Sequence, residues 1–194
     1  MGSYSPVPRL SELEVAELVG AVCAPVVAEL ARRGSPFVGM LFAGAMLTDE
    51  GPRVLEYNCR FGDPETQSLL PRLDGDLLDA LAAAAAGRLG GATLAASENA
   101  SVTLVLAAGD YPARGDSGST ITGVEEAEST GALVFHAGTA LHDGRLVTNG
   151  GRILNVTALG DSLGEARDAA YAAAAHIDFP GMRYRTDIAA FSRA

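Results

Sequence analysis

Apolar and polar positions change their spacing along this chain, and the changes mark its elements. Residues 1–8 read as a Pro-rich entry loop. Ser11 is placed to be a helix N-cap, and Glu14 three residues on completes a capping box. The helix is predicted to run to Arg33, where Gly34-Ser35-Pro36 ends it. Two strands follow over 37–48 and 52–60, joined by Asp49-Glu50-Gly51 in a hairpin signal. A short helix is predicted over 64–70 and a longer one over 75–88. The alanine run 82–86 favours the longer helix, and Leu77, Leu78 and Leu81 give it a packing face. The stretch Gly90 to Ser97 is small and weakly patterned. It predicts a boundary between a domain of residues 1–95 and one of 96–194.

The second half opens on Ser101 to Ala108, alternating and β-branched enough for a strand. Gly109-Asp110-Tyr111-Pro112 breaks it, and a Gly/Ser-rich loop follows. Three strands are predicted over 132–137, 145–148 and 152–159, with His142-Asp143-Gly144 as the turn between the first two. A helix is predicted from Ser162 to His176, its start interrupted by Gly164. No repeat is present.

The segment Val54 to Arg60 carries the candidate chemistry. It reads as a buried strand of a parallel or mixed sheet. Alternation puts Glu56, Asn58 and Arg60 on one face and Leu55, Tyr57 and Cys59 on the other. Glu56 and Asn58 offer oxygen ligands of the kind a hard cation takes. Arg60 can hold a phosphate or carboxylate oxygen in fork geometry. The row suits a metal-bound polyphosphate; a solvated strand face is the plainer alternative. Gly62-Asp63-Pro64-Glu65 then leaves the strand in a sharp turn and adds two carboxylates.

Asn149-Gly150-Gly151-Arg152 is a second candidate. Its glycines can form an anion nest with Arg152 adding charge, or simply a hairpin turn. Arg183 and Arg185, flanking Tyr184, suit a phosphate or a solvated tail. His136 reads as structural, His142 as a turn residue, and His176 as the end of its helix. No His or Cys cluster suggests zinc, and no Ser–His–Asp arrangement stands out.

Composition narrows the class. A formal net charge of −10 argues against nucleic acid as a partner, while local arginines can still bind a phosphorylated small molecule. Gly, Pro and charges interrupt every apolar run, so no membrane span or signal peptide is expected. Cys23 and Cys59 are too few for a disulfide framework and are expected to be buried thiols in a reducing, cytoplasmic compartment. The 194 residues allow one or two domains with real cores. All 14 basic residues are Arg, so no lysine clamp for phosphate can come from this polypeptide.

The run Leu55-Glu56-Tyr57-Asn58-Cys59-Arg60-Phe61-Gly62-Asp63-Pro64-Glu65-Thr66-Gln67 closely resembles the phosphoribosylamine–glycine ligases, ATP-grasp enzymes of purine biosynthesis. The shorter Glu-x-Asn-x-Arg core is also similar to the metal strand of biotin carboxylases. Met1 to Pro6, Phe37 to Thr48, Val134 to Thr139, Thr148 to Ala158 and Tyr184 to Ile188 extend the resemblance over nearly the whole chain. The family is about twice this length, so the chain resembles its C-terminal half.

The resemblance implies an α+β chain: the later part of an ATP-grasp domain, then a small C-terminal α+β domain with an antiparallel sheet. It implies joining of glycine to 5-phosphoribosylamine with ATP as co-substrate, through an acyl phosphate. Glu56 and Asn58 match the family's Mg2+ or Mn2+ ligands, and Arg60 would stabilise the transferring phosphoryl group. Asp63 and Glu65 would orient the glycine ammonium or brace Arg60. Asn149, Gly150, Gly151 and Arg152 would bind substrate. Many ATP-grasp enzymes carry a further acid on the preceding strand; Phe42, Ala43, Gly44 and Ala45 hold none. The missing N-terminal half is the implied partner, so the chain alone is expected to be inactive and to expose apolar surface. Three alternatives stand beside this reading. They are another ATP-grasp carboxylate–amine ligase, a non-catalytic subunit needing a separate N-terminal half, and a carboxylate-pair hydrolase using Glu56 and Glu65.

Overall fold

A computed structural model describes residues 1–90 and 94–190. The chain forms two compact units. A sheet unit gathers Met1–Pro6, Asp63–Leu73 and the residues from Ala96 on; a hairpin unit consists of Val7–Gly62 and Asp74–Ala95. The predicted cut at 95/96 marks one crossing point, but the first 95 residues do not stay together. Residues 1–6 and 63–73 are drawn into the sheet unit by strand pairing and helix packing that local patterning does not reveal.

The first strand of the sheet unit is β1 (Gly2–Ser5). The segment read as an entry loop is thus an ordered strand, and its register runs from Gly2 opposite Leu104 to Ser5 opposite Ser101.

In the hairpin unit, α1 (Glu12–Arg32) starts at the Ser11–Glu14 capping box as expected. Gly34 closes it, with φ +79° and backbone bonds to the last turn. β2 (Phe42–Thr48) and β3 (Gly51–Asn58) pair antiparallel.

Back in the sheet unit, α2 (Glu65–Leu69) continues into a 3-10 turn over Leu70–Arg72. The short strands β4 (Leu73–Asp74) and β5 (Ala95–Ala96) pair with each other, and α3 (Leu77–Ala85) lies between them in sequence within the hairpin unit.

The remaining elements belong to the sheet unit. They are β6 (Ala100–Ala107), β7 (Asp116–Thr120), α4 (Val124–Ser129), β8 (Leu133–His136), β9 (Thr139–His142), β10 (Arg145–Gly150), β11 (Arg152–Gly160) and α5 (Leu163–Ala174). They build a four-stranded sheet ordered β1-β6-β11-β8 and a three-stranded sheet ordered β7-β10-β9, all antiparallel. The α+β architecture with antiparallel sheets is as expected.

The core of the sheet unit follows from alternation. Leu104 and Val102 of β6 register with Val156 and Ala158 of β11, and these side chains pack with the alanines of α5 in one buried cluster. Alanine is the residue that lets a helix approach a sheet closely, and Ala166, Ala170, Ala173 and Ala174 are fully buried. The opposite face carries buried polar side chains beside Val105. The Thr103 and Thr157 hydroxyls bond at 2.7 Å, and the Ser101 hydroxyl donates to the Ser68 carbonyl of α2.

Arg72, 8% exposed, is bonded within this unit to Ser5 Oγ and to the carbonyls of Ser97 and Asn99. It therefore ties together three separate chain segments. Desolvation pulls its pKa below the usual guanidinium value.

The hairpin unit is different. Among the described residues, Val22 is its one buried hydrophobic side chain, while Leu13, Val38 and Leu55 are each more than half exposed. The length allows one or two real cores, and among the described residues the main buried cluster lies in the sheet unit. Cys59 is exposed and Cys23 half-buried, so neither is the buried thiol predicted. Leu78 is 76% exposed; the side of α3 carrying Leu77 and Leu81 instead lines an apolar cleft of about 430 Å3 with Val38, Met40 and Leu89. Among the described residues no helix is long and apolar enough to cross a membrane.

Candidate functional site

Glu56 and Asn58 sit on the last turn of pleat of β3, with one face of the strand set by Tyr57. The Tyr57 hydroxyl donates to the Val22 carbonyl of α1 at 2.6 Å, so Tyr57 faces the helix and its neighbours Glu56 and Asn58 face away. The alternation read from sequence therefore holds at these three residues. The expected surroundings do not. β3 is half of a two-stranded antiparallel hairpin rather than a buried strand of a parallel or mixed sheet, and Glu56, Leu55 and Arg60 are exposed.

The three polar side chains form a chain of hydrogen bonds. Asn58 Nδ2 donates to Glu56 Oε1 at 3.0 Å, and Arg60 Nη2 donates to Asn58 Oδ1 at 3.4 Å. Arg60 Nη1 donates to the Phe61 carbonyl at 2.7 Å. Arg60 lies beyond the end of β3, yet its guanidinium reaches back to the row. A carboxylate and a carboxamide oxygen two residues apart are hard donors, which fits a cation such as Mg2+ that takes few protein ligands and completes its shell with phosphate and water. Among the described residues no three His, Cys, Asp or Glu side chains gather into a closed cage, so the row would be an open site.

Asp63 and Arg152 make a separate arrangement in the sheet unit. Arg152 Nη2 stands 2.8 Å from Asp63 Oδ2, and Nη1 donates to the Asp63 carbonyl at 3.0 Å. Gln67 Nε2 donates to Asp63 Oδ1 at 3.3 Å. Asp63 thus braces Arg152 within the sheet unit. Glu65 lies exposed in the first turn of α2.

Asn149 and Gly150 are the end of β10 and Arg152 starts β11, so this run is extended strand. Neither Gly150 nor Gly151 has the positive φ that a nest needs. Their lack of side chains serves packing. A Cβ on Gly150 would lie 2.9 Å from Gly138 Cα, and one on Gly151 would lie 2.6 Å from the Tyr111 ring. The bonds of Arg152 to Asp63 depend on two segments far apart in sequence, and no local signal could have revealed them. Arg72 escaped the sequence reading for the same reason.

Residues 1–66 match the family described as phosphoribosylglycinamide synthetase, ATP-grasp (A) domain, and residues 101–191 match phosphoribosylglycinamide synthetase, C domain. The phosphoribosylamine–glycine ligase of Mesorhizobium japonicum is 47% identical over 188 residues, covering 97% of this chain and 44% of that protein. A crystal structure of phosphoribosylamine–glycine ligase from Thermotoga maritima is similar with a TM-score of 0.84 and 34% identity, covering 97% of this chain and 46% of that one. A biotin carboxylase domain of Hydrogenobacter thermophilus 2-oxoglutarate carboxylase, crystallised with ADP, magnesium and bicarbonate, shares the fold. Its TM-score is 0.58 at 17% identity, over 95% of this chain and 40% of that one. The chain spans less than half the length of the relatives it matches.

Proposed function

The chain belongs to the phosphoribosylglycinamide synthetase family, and on that footing we propose that it carries the metal- and phosphate-handling strand of an ATP-dependent glycine ligase. The reaction joins glycine to 5-phosphoribosylamine and gives glycinamide ribonucleotide, ADP and phosphate. The observation that carries this reading is the hydrogen-bonded row Glu56–Asn58–Arg60 on the outward face of β3.

In the proposed reaction a glycine carboxylate oxygen attacks the γ-phosphorus of ATP. The bond to the β,γ-bridging oxygen breaks and ADP leaves. The ribosylamine nitrogen then attacks the acyl carbon, the C–O bond to phosphate breaks, and the nitrogen loses a proton as the amide forms. Such transfer needs positioning and charge neutralisation more than a protein nucleophile.

Glu56 and Asn58 would hold Mg2+ or Mn2+, which when bound neutralises charge on the ATP phosphates. Asn58 holds Glu56 by its amide and accepts from Arg60 by its oxygen, so it sets the spacing of the row. Arg60 is fixed at two points and keeps further N–H groups for a phosphoryl or carboxylate oxygen. Asp63 and Glu65 supply carboxylates for the glycine ammonium, Asp63 while held by Arg152. We assign Arg152 to the positioning of Asp63 rather than to substrate.

The exposed Leu13, Val19, Leu47 and Leu55 of the hairpin unit support action together with the further polypeptide that its relatives carry. Charged substrates that do not cross a bilayer unaided support a cytoplasmic reaction. The test is product identity. A polypeptide combining this chain with that remainder, given ATP, isotope-labelled glycine and 5-phosphoribosylamine, should yield labelled glycinamide ribonucleotide by mass spectrometry. A labelled amide with a different amine, and none with phosphoribosylamine, would point to another carboxylate–amine ligase.

A further inference from the structure

Gly44 sits on β2 directly opposite Glu56 in the antiparallel ladder. The next pair is Ala45 with Val54, so Leu55 is an extra residue on β3 and the strand is bulged immediately before Glu56. A bulge re-aims the side chains beside it. Glycine inside a strand costs conformational entropy and needs a reason. Backbone conformation is not the reason here, because Gly44 is not among the residues with positive φ. Space is the reason. A Cβ on Gly44 would lie 3.3 Å from Glu56 Cγ, 3.7 Å from the Glu56 carbonyl oxygen and 3.8 Å from Phe42 Cε1. The tightest of these contacts is to the methylene that carries the Glu56 carboxylate.

We infer that Gly44 is a positioning residue for Glu56: its missing side chain, together with the bulge at Leu55, sets the path along which the carboxylate reaches Asn58. A methyl group at 44 requires Glu56 Cγ to give by a few tenths of an ångström, and the 3.0 Å bond from Asn58 Nδ2 to Glu56 Oε1 is the contact such a shift strains first. The geometry stands on its own, whereas its consequence for metal binding rests on the function proposed above.

The test uses the full 194-residue chain and two readouts. The first is metal-free: the NMR signals of the Asn58 side-chain amide in wild type, G44A and E56A. G20A is the control, since a Cβ on Gly20 meets nothing within 4 Å. In G44A the Asn58 amide signals should move to where E56A puts them, while G20A leaves them at the wild-type position. Wild-type Asn58 signals in a folded G44A protein overturn the inference. If G44A fails to fold, E56A/G44A should restore folding, because the clash is with the Glu56 side chain; failure of the double variant to restore it also overturns the inference.

The second readout is Mn2+ titration, in which G44A should weaken binding about tenfold, the lower range for loss of a ligand-orienting contact. Unchanged Mn2+ affinity in G44A, when wild type binds, contradicts the role for the metal. Displaced Asn58 signals with no Mn2+ binding by wild type leave Gly44 as the positioning residue and remove the metal reading of the row.

Discussion

Arg152 grips Asp63 twice, through a 2.8 Å ion pair to its carboxylate and a 3.0 Å hydrogen bond to its backbone carbonyl. The pair joins the start of β11 to the turn that follows Gly62, across 89 residues of sequence. Both side chains are about one-third exposed, so screening limits the ion pair, and the carbonyl bond contributes beside it. R152A should destabilise the chain by about 1–2 kcal/mol in urea unfolding. R152K should recover only part, because an ammonium cannot serve both oxygens in fork geometry. Equal stability of R152A and wild type would show that the contact does not hold the turn.

Arg72 is the more costly residue to lose. It is buried and has three hydrogen-bond partners on two other segments, Ser5 on one and Ser97 with Asn99 on the other. R72M should leave the Ser97 and Asn99 carbonyls without their donor and cost about 3 kcal/mol or more. Burial lowers its pKa below the usual guanidinium value, yet a guanidinium in a protein keeps its proton, so the loss should not vary between pH 6 and 8. A thermal melt of R72M matching wild type would refute this role.

Asp116 gives the sheet unit an acid-sensitive contact. The buried Thr148 hydroxyl donates to Asp116 Oδ2 at 2.6 Å, and this bond, with one from Ser119, holds the carboxyl below its usual pKa. A depressed folded pKa adds stability above the unfolded value near ~3.9, and that stability is lost as pH falls through the folded pKa. T148V should therefore be less stable than wild type at pH 7 by about 1 kcal/mol or less. The difference should shrink as the solution is acidified below the folded pKa, down to the pH-independent share left by the Ser119 N–H, which loses its acceptor Thr148 Oγ1 at 3.0 Å. Unfolding curves taken along a pH series would expose a wholly pH-independent difference, which would assign the loss to packing instead.

How much was legible depended on whether the partners were local. The capping box of α1 was readable because Ser11 and Glu14 are three residues apart, and the β2–β3 hairpin because only Asp49 and Glu50 separate its paired strand ends. The alternation of Glu56, Tyr57 and Asn58 was readable for the same reason. β1 was not, since its partner strand lies about a hundred residues on, at Ser101 to Leu104. β9 was hidden because its hairpin with β10, turned by Asp143 and Gly144 at positive φ, was read as a link from β8. The burial of β3 was overread: Leu55 looks like a core residue, yet it is the bulged one and 68% exposed. The glycines at 150 and 151 looked like an anion nest because sequence shows small residues and not what presses on them.

The measurement that goes most directly to the ligase reading follows the glycine oxygens. With glycine carrying heavy oxygen in both carboxylate positions, attack on the γ-phosphorus must leave one labelled oxygen in each phosphate released. The assay needs the polypeptide that unites this chain with the remainder its relatives carry, ATP and 5-phosphoribosylamine, and mass analysis of the phosphate. One labelled oxygen per phosphate is the expected result. Phosphate free of label, formed in step with the amide, would mean that ATP does not activate the glycine carboxylate and would contradict the proposed chemistry.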